Sequence, residues 1–288
     1  MVAGKEAGHE QTVKRNVGNA FIYVILIAVS ITMLFPFLWM ISTSLKSKMD
    51  AQVFPPQWIP NPVITDAYVD VWKVAPLLSG MVNSLIIAVP VLFFGTFCSA
   101  MAAFAFAKMD IPKRNLLFMG LLSSMMIPGV VTMIPQYVVW GRLNLQDTFI
   151  PLIVPGMLGN VTMMFFFRQY LSGVPNELVD AGKIDGAGWM TIFTRLILPT
   201  MRPAIAAQVI FWFMGIWNDF LGPLIYLDSE EKYTVQLALR LLNSMSEATS
   251  EYPIIMAGAV ISCLPLLLLF VVFQRYFVDS MLISGVKG

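Results

Sequence analysis

Side chains that could perform acid–base, nucleophilic or metal chemistry are scarce in this sequence. It holds one histidine, His9, in a polar stretch near the N-terminus, and two cysteines, Cys98 and Cys263, within apolar runs. Zinc binding and nucleophile–histidine catalysis require clusters of such groups. The sequence therefore predicts no catalytic residue, no metal site and no disulfide framework, which makes an intramembrane hydrolase a poor interpretation.

Polar residues inside apolar runs are a second source of chemistry. They are costly at membrane depth unless they face protein or water, so they are candidates for lining a transport path. Each also has a structural alternative, such as a helix–helix contact or an interfacial position. Asp219 is the clearest ionisable case. The candidates for the path are Asn83, Asn160, Thr162, Trp217, Asn218 and Asp219.

Residues 174–203, the 174–203 segment, form a long, charge-bearing and helix-patterned insert between apolar runs. Its first half predicts an amphipathic helix with Glu177, Asp180 and Lys183 on the polar face. The predicted apolar face consists of Val174, Leu178, Ala181 and Ile184.

An Asp185-Gly186 pair after this helix predicts a turn, because glycine readily takes positive φ. A second set of apolar residues at helical spacing, an apolar stripe, follows, and Pro199 and Pro203 then interrupt this helical pattern. The stripe consists of Trp189, Ile192, Phe193, Leu196 and Ile197. By periodicity alone, the segment fits an interfacial hairpin as well as a surface for a partner protein.

The elements around this segment are apolar enough to cross a membrane. The chain has 288 residues, of which 58% are hydrophobic and 12% charged, with a mean hydropathy of +0.75. A spanning helix needs about 20 apolar residues. The sequence predicts an all-α integral membrane protein whose membrane domain covers 19–278, with tails at 1–18 and 279–288. The predicted spans are 19–42, 82–107, 115–138, 148–168, 203–227 and 253–275.

The distribution of basic residues predicts the orientation of these six spans. Twelve of the 18 lysines and arginines lie in the N-terminal tail, the 108–114 loop, the 168–202 region and the stretch from Arg275 to the end of the sequence. Because basic residues concentrate on the cytoplasmic side, both termini and the 174–203 segment are predicted to be cytoplasmic. The stretches 44–80 and 228–251 then face outward, and they fit either a docking surface or ordinary solvated loops.

The 174–203 segment resembles the EAA loop of ABC importer permeases, most closely those of maltose-type carbohydrate uptake. The family pattern is roughly P-x-x-L-x-E-A-A-x-I-D-G-A, followed by an apolar run ending I-x-L-P-x-x-x-P. The E-A-A triplet reads Asp180-Ala181-Gly182 here, and glycine weakens a helix by up to about 1 kcal/mol. The matching residues are Pro175, Leu178, Ile184, Asp185, Gly186, Ala187, Ile197, Pro199 and Pro203.

Six further stretches resemble the same family in the same order along the chain. They are FPFLWMISTSLKS, NSLIIAV, AAFAFAKMDIPKRN, MMIPGVVTMIPQY, WNDFLGPLIYL and QRYFVDSMLISGVKG. The resemblance implies a type I ABC importer permease fold in the bacterial inner membrane. It also implies a subunit that forms half of a translocation path for a sugar, such as an oligosaccharide or a glycoside.

The resemblance further implies the partners of such a subunit. They are a second homologous permease, two ATP-binding subunits, an extracytoplasmic solute-binding protein, the sugar and membrane lipid, with no nucleic acid. The chain needs no cofactor, because ATP and Mg are used by the partner subunits and no G-x-x-x-x-G-K-[ST] run is present. The implied ATPase-coupling residues are Glu177, Asp180, Ala181, Gly182, Asp185, Gly186 and Ala187.

Two alternatives remain at this point. Within the family, the solute could instead be a polyol or glycerol phosphate. Outside it, an ion-driven secondary carrier would need intramembrane acids or histidines, and Asp219 is the one candidate. The carrier interpretation also gives no reason for the 174–203 segment.

Overall fold

The structure is a computed structural model that describes the backbone of residues 3–248 and 251–285. Side chains are described for residues 19, 22–246 and 251–274, so the predicted tails 1–18 and 279–288 lie outside that part. The chain forms two compact units, one comprising residues up to Val71 with Ser246–Val260, the other Trp72–Met245 with residues from Ile261 onward.

The first unit contains helix α1 (Ala3–Ser44) and the proline-rich stretch that follows it. Ser42 Oγ donates to the carbonyl of Trp58 at 2.6 Å, and Lys46 Nζ donates to the carbonyl of Gln57 at 2.5 Å. The Lys46 ammonium also lies 4.2 Å from the centre of the Trp39 ring. These contacts fix the irregular stretch, whose prolines exclude a regular helix, against the end of α1.

All the other α-helices of the described backbone come after the proline-rich stretch. A short helix after the prolines, α2 (Asp66–Val74), continues from the first unit into the second. The others are α3 (Leu77–Lys108), α4 (Arg114–Ser124), α5 (Gly129–Arg142), α6 (Ile150–Met157), α7 (Val161–Ser172), α8 (Glu177–Ile184), α9 (Trp189–Thr200), α10 (Arg202–Trp217), α11 (Leu221–Tyr226), α12 (Val235–Ala248) and α13 (Tyr252–Gly285). No strand occurs in the described backbone, so the all-helical prediction is confirmed.

Four stretches of the described residues are long and apolar enough to cross a membrane, and there are six if two bent pairs each count as one. The four are Ile22–Ser44, Leu77–Lys108, Ile150–Ser172 and Tyr252–Gln274. The pair α4–α5 bends by 87° at a break that contains Pro128, and the pair α9–α10 bends by 78°. The predicted span 203–227 is interrupted, because α10 ends at Trp217 and a short helix resumes at Leu221.

The core of the second unit lies where α3 packs against α7 and α9. Its buried side chains include Phe104, Phe167, Phe193 and Ile197, each at most 3% exposed. Burying one such side chain contributes roughly 1.5–3 kcal/mol. The second half of the 174–203 segment is therefore part of the main hydrophobic core.

One exposed stretch of the second unit is fixed by a carboxylate that the sequence patterns did not single out. Asp147 accepts the backbone N–H groups of Asp228 and Ser229 at 3.0 and 3.1 Å. The Ser229 hydroxyl donates to it at 2.5 Å, and Lys232 Nζ donates at 2.7 Å. These hydrogen bonds hold the pKa of the Asp147 carboxyl well below its usual range. Asp147 therefore clamps the 227–235 segment, the stretch between α11 and α12.

Replacing Asp147 with alanine is expected to destabilise the folded chain by about 2–4 kcal/mol, because several charge-assisted hydrogen bonds are lost together. The apparent melting temperature should fall by about 5 °C or more. Reaction of a thiol dye with Cys98 and Cys263 reports unfolding of the purified protein. Asp228→Ala is the matched control, since Asp228 contributes its backbone N–H to the clamp.

The low pKa of Asp147 also fixes the sign of the pH dependence. A carboxyl whose pKa is lower in the folded state stabilises the fold fully at pH values above its unfolded-state pKa of about 3.9. This contribution to the free energy of unfolding is lost as the pH falls towards the folded-state pKa. The difference in melting temperature between wild type and Asp147→Ala should thus be constant from neutral pH to about pH 5. A difference that disappears on acidification to about pH 5 would contradict the clamp.

Candidate functional site

Helix α8, the first helix of the 174–203 segment, has a well-defined beginning and end. Two acids, Glu177 and Asp180, lie in its first turn, where they complement the helix dipole, and Lys183 lies in its last turn. At the end, Gly186 N–H donates to the carbonyl of Lys183 at 3.0 Å, and Ala187 N–H donates to that of Gly182 at 2.9 Å. This is a Schellman motif with Gly186 at φ +74°, which confirms the predicted Asp185-Gly186 turn.

The buried face of α8 differs from the predicted one. Val179 and Gly182 are buried, whereas Ala181 is exposed and Ile184 is 86% exposed. The predicted apolar face is therefore not the face that packs within this chain. The reason is Gly182, which lets the helix backbone approach α9 and so turns the neighbouring positions outward.

The contact at Gly182 explains why this triplet ends in glycine. A Cβ atom at this position would lie 2.9 Å from Leu196 Cδ1 and 3.0 Å from Ile192 Cγ1. Such distances are shorter than ordinary carbon–carbon contacts, so a larger side chain would push α8 away from α9. The weaker helix propensity of glycine is offset by this close packing.

The exposed face of α8 combines acidic and apolar groups. Glu177, Asp180, Ala181 and Ile184 are all exposed, and Asp185 is exposed at the turn. Lys183 Nζ lies 3.5 Å from Asp180 Oδ1 and 4.9 Å from the centre of the Trp189 ring. The face thus presents one large apolar side chain, Ile184, with carboxylates around it.

Helix α8 is also tied firmly to the membrane helices. Lys108 Nζ, at the end of α3, donates to the carbonyl of Val174 at 2.5 Å and to Asn176 Oδ1 at 2.7 Å. Tyr170 donates its hydroxyl to the carbonyl of Thr200 at 2.9 Å, which joins α7 to α9. Both ends of the 174–203 segment are thus bonded to the helix bundle.

Helix α9 provides the hydrophobic attachment. Phe193 lies 5.5 Å from Phe104 and 5.6 Å from Phe97, measured between ring centres. Ile192, Phe193 and Ile197 are at most 1% exposed, as the predicted stripe requires, whereas Trp189 is half exposed. The stretch Ile192–Ile197 forms a π-helical turn, a local distortion that is common at functional sites. Helix α9 is thus packed on α3 through Phe193.

Three of the predicted path residues are held by structural contacts. Asn83 Nδ2 donates to the carbonyls of Glu231 and Tyr233 at 2.9 and 3.0 Å. Asn160 caps α7, accepting the N–H of Met163 at 3.0 Å. Trp217 is 1% exposed and donates its indole N–H to the carbonyl of Ser262 at 3.1 Å. Their side chains bind protein groups within the second unit.

The other three path candidates are more accessible. Thr162 is exposed on the first turn of α7. Asn218 is exposed and its Oδ1 accepts from Gln236 Nε2 at 3.3 Å. Asp219 is partly exposed, and its Oδ1 accepts the N–H of Gly222 at 3.1 Å. Asn218 and Asp219 thus lie at the break between α10 and α11, and Thr162 lies at the start of α7.

Several residues that shape these sites gave no signal in the sequence patterns. Lys108 and Asp147 belong to charged loops, and nothing in their spacing points to the hydrogen bonds that they form. Ser84 accepts the N–H of Val235 at 3.0 Å, a contact between positions far apart in the chain. An unusual backbone at Asp147, with φ +53°, is evident only in the structure.

Comparisons with known proteins agree with this geometry. A family model described as "Binding-protein-dependent transport system inner membrane component" matches residues 15–283. The chain is 36% identical over 206 residues to the arabinooligosaccharides transport system permease protein AraQ of Halalkalibacterium halodurans, covering 72% of this chain and 73% of that protein. It is 32% identical over 276 residues to the lactose transport system permease protein LacG of Rhizobium radiobacter, covering 94% and 97%.

A solved structure shares the fold. It is a chain of a bacterial ABC transporter involved in the import of the acidic polysaccharide alginate, with a TM-score of 0.81 and 20% sequence identity. The match covers 91% of this chain and 97% of that one. The predicted ABC importer permease fold is confirmed. From the family match and the helical spans together, the chain belongs to the family of binding-protein-dependent transport system inner membrane components.

Proposed function

We propose that this chain is a permease subunit of an ATP-driven importer of saccharides, in which α8 docks on a separate ATP-binding subunit. The observation that carries the proposal is the exposed acidic and apolar face of α8 on a segment bonded to the membrane helices. The names of AraQ and LacG, an arabino-oligosaccharide and a lactose permease, support a saccharide over a polyol or glycerol phosphate.

The proposed complex contains a second homologous permease, two ATP-binding subunits and an extracytoplasmic solute-binding protein. The span Ile22–Ser44 has no buried residue in its most apolar stretch, which supports the proposal that lipid and a second permease cover it. With twelve of the 18 basic residues on the side of the 174–203 segment, we place both termini in the cytoplasm. The chain is then a multi-pass inner-membrane protein.

The proposed mechanism is mechanical coupling without covalent chemistry in this chain. Closure of the two ATP-binding subunits around ATP and Mg would bring the two docked helices together. Lys108, Tyr170 and the Phe104–Phe193 contact would transmit this displacement to α3 and α7 as a rigid-body movement. A saccharide-loaded binding protein on the other side would favour the outward-open state, so two partners bias one conformational equilibrium.

Measuring which energy source drives uptake distinguishes the proposed ATP-driven importer from an ion-driven carrier. Uptake of labelled lactose and arabinotriose would be measured in cells that express the chain with its native partners. Depleting ATP with arsenate while respiration maintains the ion gradients is expected to abolish uptake. Collapsing the gradients with an ionophore while ATP is held should leave uptake intact. Uptake that follows the gradient and survives ATP depletion would mean a secondary carrier.

A further inference from the structure

A groove of about 620 Å³ opens on the surface of the second unit, where α3, α9, α10 and α13 meet. Most of its lining side chains are apolar, and they include Phe93 and Phe97 of α3 and Leu269 and Phe273 of α13. Phe93 is 70% exposed and Phe273 is 37% exposed, so the groove is accessible from outside the chain. In a membrane protein, such a groove has to be filled by apolar material.

The spacing of the lining residues shows that the groove is elongated along the helices. Helices α3 and α13 each contribute a pair four positions apart, and α10 contributes Arg202, Ile205 and Val209 over two turns. Residues with this spacing lie on one face of a helix, and seven positions of an α-helix span about 10 Å. Because α3, α10 and α13 belong to candidate membrane spans, the groove follows the direction of the lipid acyl chains.

The end of the groove where α10 begins carries a cation. Arg202 is the first residue of α10 and the one charged residue among the described side chains of the lining. It is exposed, and its guanidinium forms no hydrogen bond or ion pair with the described residues. A guanidinium offers five N–H donors in a fixed fork that matches the oxygens of a phosphate. Arg202 can therefore bind an anionic head group at this end.

An apolar groove with a cation at one end is complementary to an amphiphile of the opposite charge. A saccharide fits poorly, because its hydroxyls need several polar partners and the groove offers few. The Thr194 hydroxyl in the lining is already used, since it donates to the carbonyl of Met190 at 2.8 Å. A phospholipid has an acyl chain for the groove and a phosphate for Arg202. Basic pockets between membrane helices on the cytoplasmic side are typical sites for anionic lipid head groups.

The position of Arg202 in the chain suits the level of the lipid head groups. It immediately precedes the apolar run that begins at Pro203, and it belongs to the side that carries twelve of the 18 basic residues. In the orientation of the proposed function this side is cytoplasmic. The surface of the cytoplasmic leaflet is negatively charged, so anionic lipid is available there.

We propose that this groove binds one anionic phospholipid, whose acyl chain lies between α3, α10 and α13 and whose phosphate pairs with Arg202. The lipid would also contact α9 through Leu198 and Pro199, so it would brace the 78° bend between α9 and α10. The inference goes beyond the proposed function, because it assigns a lipid partner and no solute. It shares with that proposal only the orientation of the chain.

Photo-crosslinking in the complete transporter tests this site. Benzoylphenylalanine replaces Phe93, which lines the groove, or Phe270, which is 51% exposed on α13 and does not line it. The transporter, purified through a tag on this chain, is placed in nanodiscs of equal parts phosphatidylglycerol, which is anionic, and phosphatidylcholine, which has no net charge. Mass spectrometry identifies the molecule in each adduct.

The Phe93 probe is expected to form adducts with phosphatidylglycerol about fivefold more often than with phosphatidylcholine. Fivefold corresponds to about 1 kcal/mol, the contribution of one basic residue at an anionic membrane surface. The Phe270 probe should show no preference. Arg202→Gln should remove the preference of the Phe93 probe. Arg195→Gln should keep it, because Arg195 is an exposed arginine of α9 that does not line the groove.

Three results would overturn the proposal. Adducts of the Phe93 probe with the second permease in place of lipid would make the groove a contact between subunits. Equal yields of the two lipids from the Phe93 probe would reduce it to an ordinary lipid-facing surface. A preference that survives Arg202→Gln would remove the role of Arg202. The comparison of the Phe93 and Phe270 probes needs no arginine variant, and thiol-dye melting reports whether the two arginine variants are folded. ATP-driven uptake is tested separately by the energy source, so failure of the lipid site leaves the proposed function in place.

Discussion

Gly182→Leu is expected to reduce ATP-dependent uptake at least about tenfold, while the membrane helices stay folded. The added side chain would meet Leu196 and Ile192, whose atoms lie 2.9 and 3.0 Å from a Cβ at this position. Overpacking of this kind costs about 1–3 kcal/mol, and the short helix α8 can relieve it by moving off α9. Uptake and stimulated ATP hydrolysis in proteoliposomes report the loss, and thiol-dye melting reports the fold.

Gly188→Leu is the matched control for this prediction. Gly188 lies in the same segment at an ordinary negative φ of −71°, and a Cβ there would have no neighbour within 4 Å. We expect it to transport at close to the wild-type rate. If Gly182→Leu transported normally, close packing of α8 on α9 would not matter for coupling.

Ile184→Asp is expected to cause the second large loss, because the side chain would bury against the ATP-binding subunit. Ile184 is 86% exposed in this chain, so an aspartate there should leave the melting temperature nearly unchanged. Burial of an unpaired charge at the centre of an interface typically costs about 2 kcal/mol or more, which corresponds to roughly a thirtyfold weaker association. Co-purification of the ATP-binding subunit with the tagged chain measures the loss.

Ile184→Leu serves as the conservative control, since it keeps the apolar contact and nearly the same volume. It should retain the ATP-binding subunit and full uptake. Equal co-purification of the partner by Ile184→Asp and Ile184→Leu would mean that this face of α8 is not the docking surface.

Local chemistry of the 174–203 segment was largely predictable from the sequence. The Asp185-Gly186 turn, the second apolar stripe and the proline breaks all follow from short-range rules, and the structure contains them. The packed face of α8 was not predictable. Hydrophobic periodicity gives no weight to a glycine, whereas Gly182 is the position where α8 packs directly on the side chains of Leu196 and Ile192.

The bends of the membrane helices were not predictable from the sequence either. Hydropathy finds the apolar runs, but α4–α5 and α9–α10 bend sharply, and α10 stops at Trp217. Bends depend on which backbone groups find partners in neighbouring helices, and composition does not contain this information. The predicted span 203–227 therefore passes through the break at Asn218 and Asp219.

Substrate contacts were the least predictable feature. Polarity inside an apolar run singled out Asn83, Asn160 and Trp217, which the structure shows bonded to backbone groups. A polar side chain in a membrane helix serves equally well to satisfy a loop carbonyl or to bind a ligand, and the sequence does not separate the two. The surroundings of Asp219 include Ser84 and Thr234, which lie far from it or from each other in the chain, so no local pattern reveals them.

Photo-crosslinking from α8 tests the central claim most directly. Benzoylphenylalanine would replace Ala181, which is exposed on the proposed docking face, or Ile59, which is 81% exposed on the stretch assigned to the opposite side. We predict that the Ala181 probe crosslinks to the ATP-binding subunit in the intact transporter and that the Ile59 probe does not. Crosslinking of the Ala181 probe to lipid alone, or of both probes to the same partners, would contradict a coupling role for the 174–203 segment.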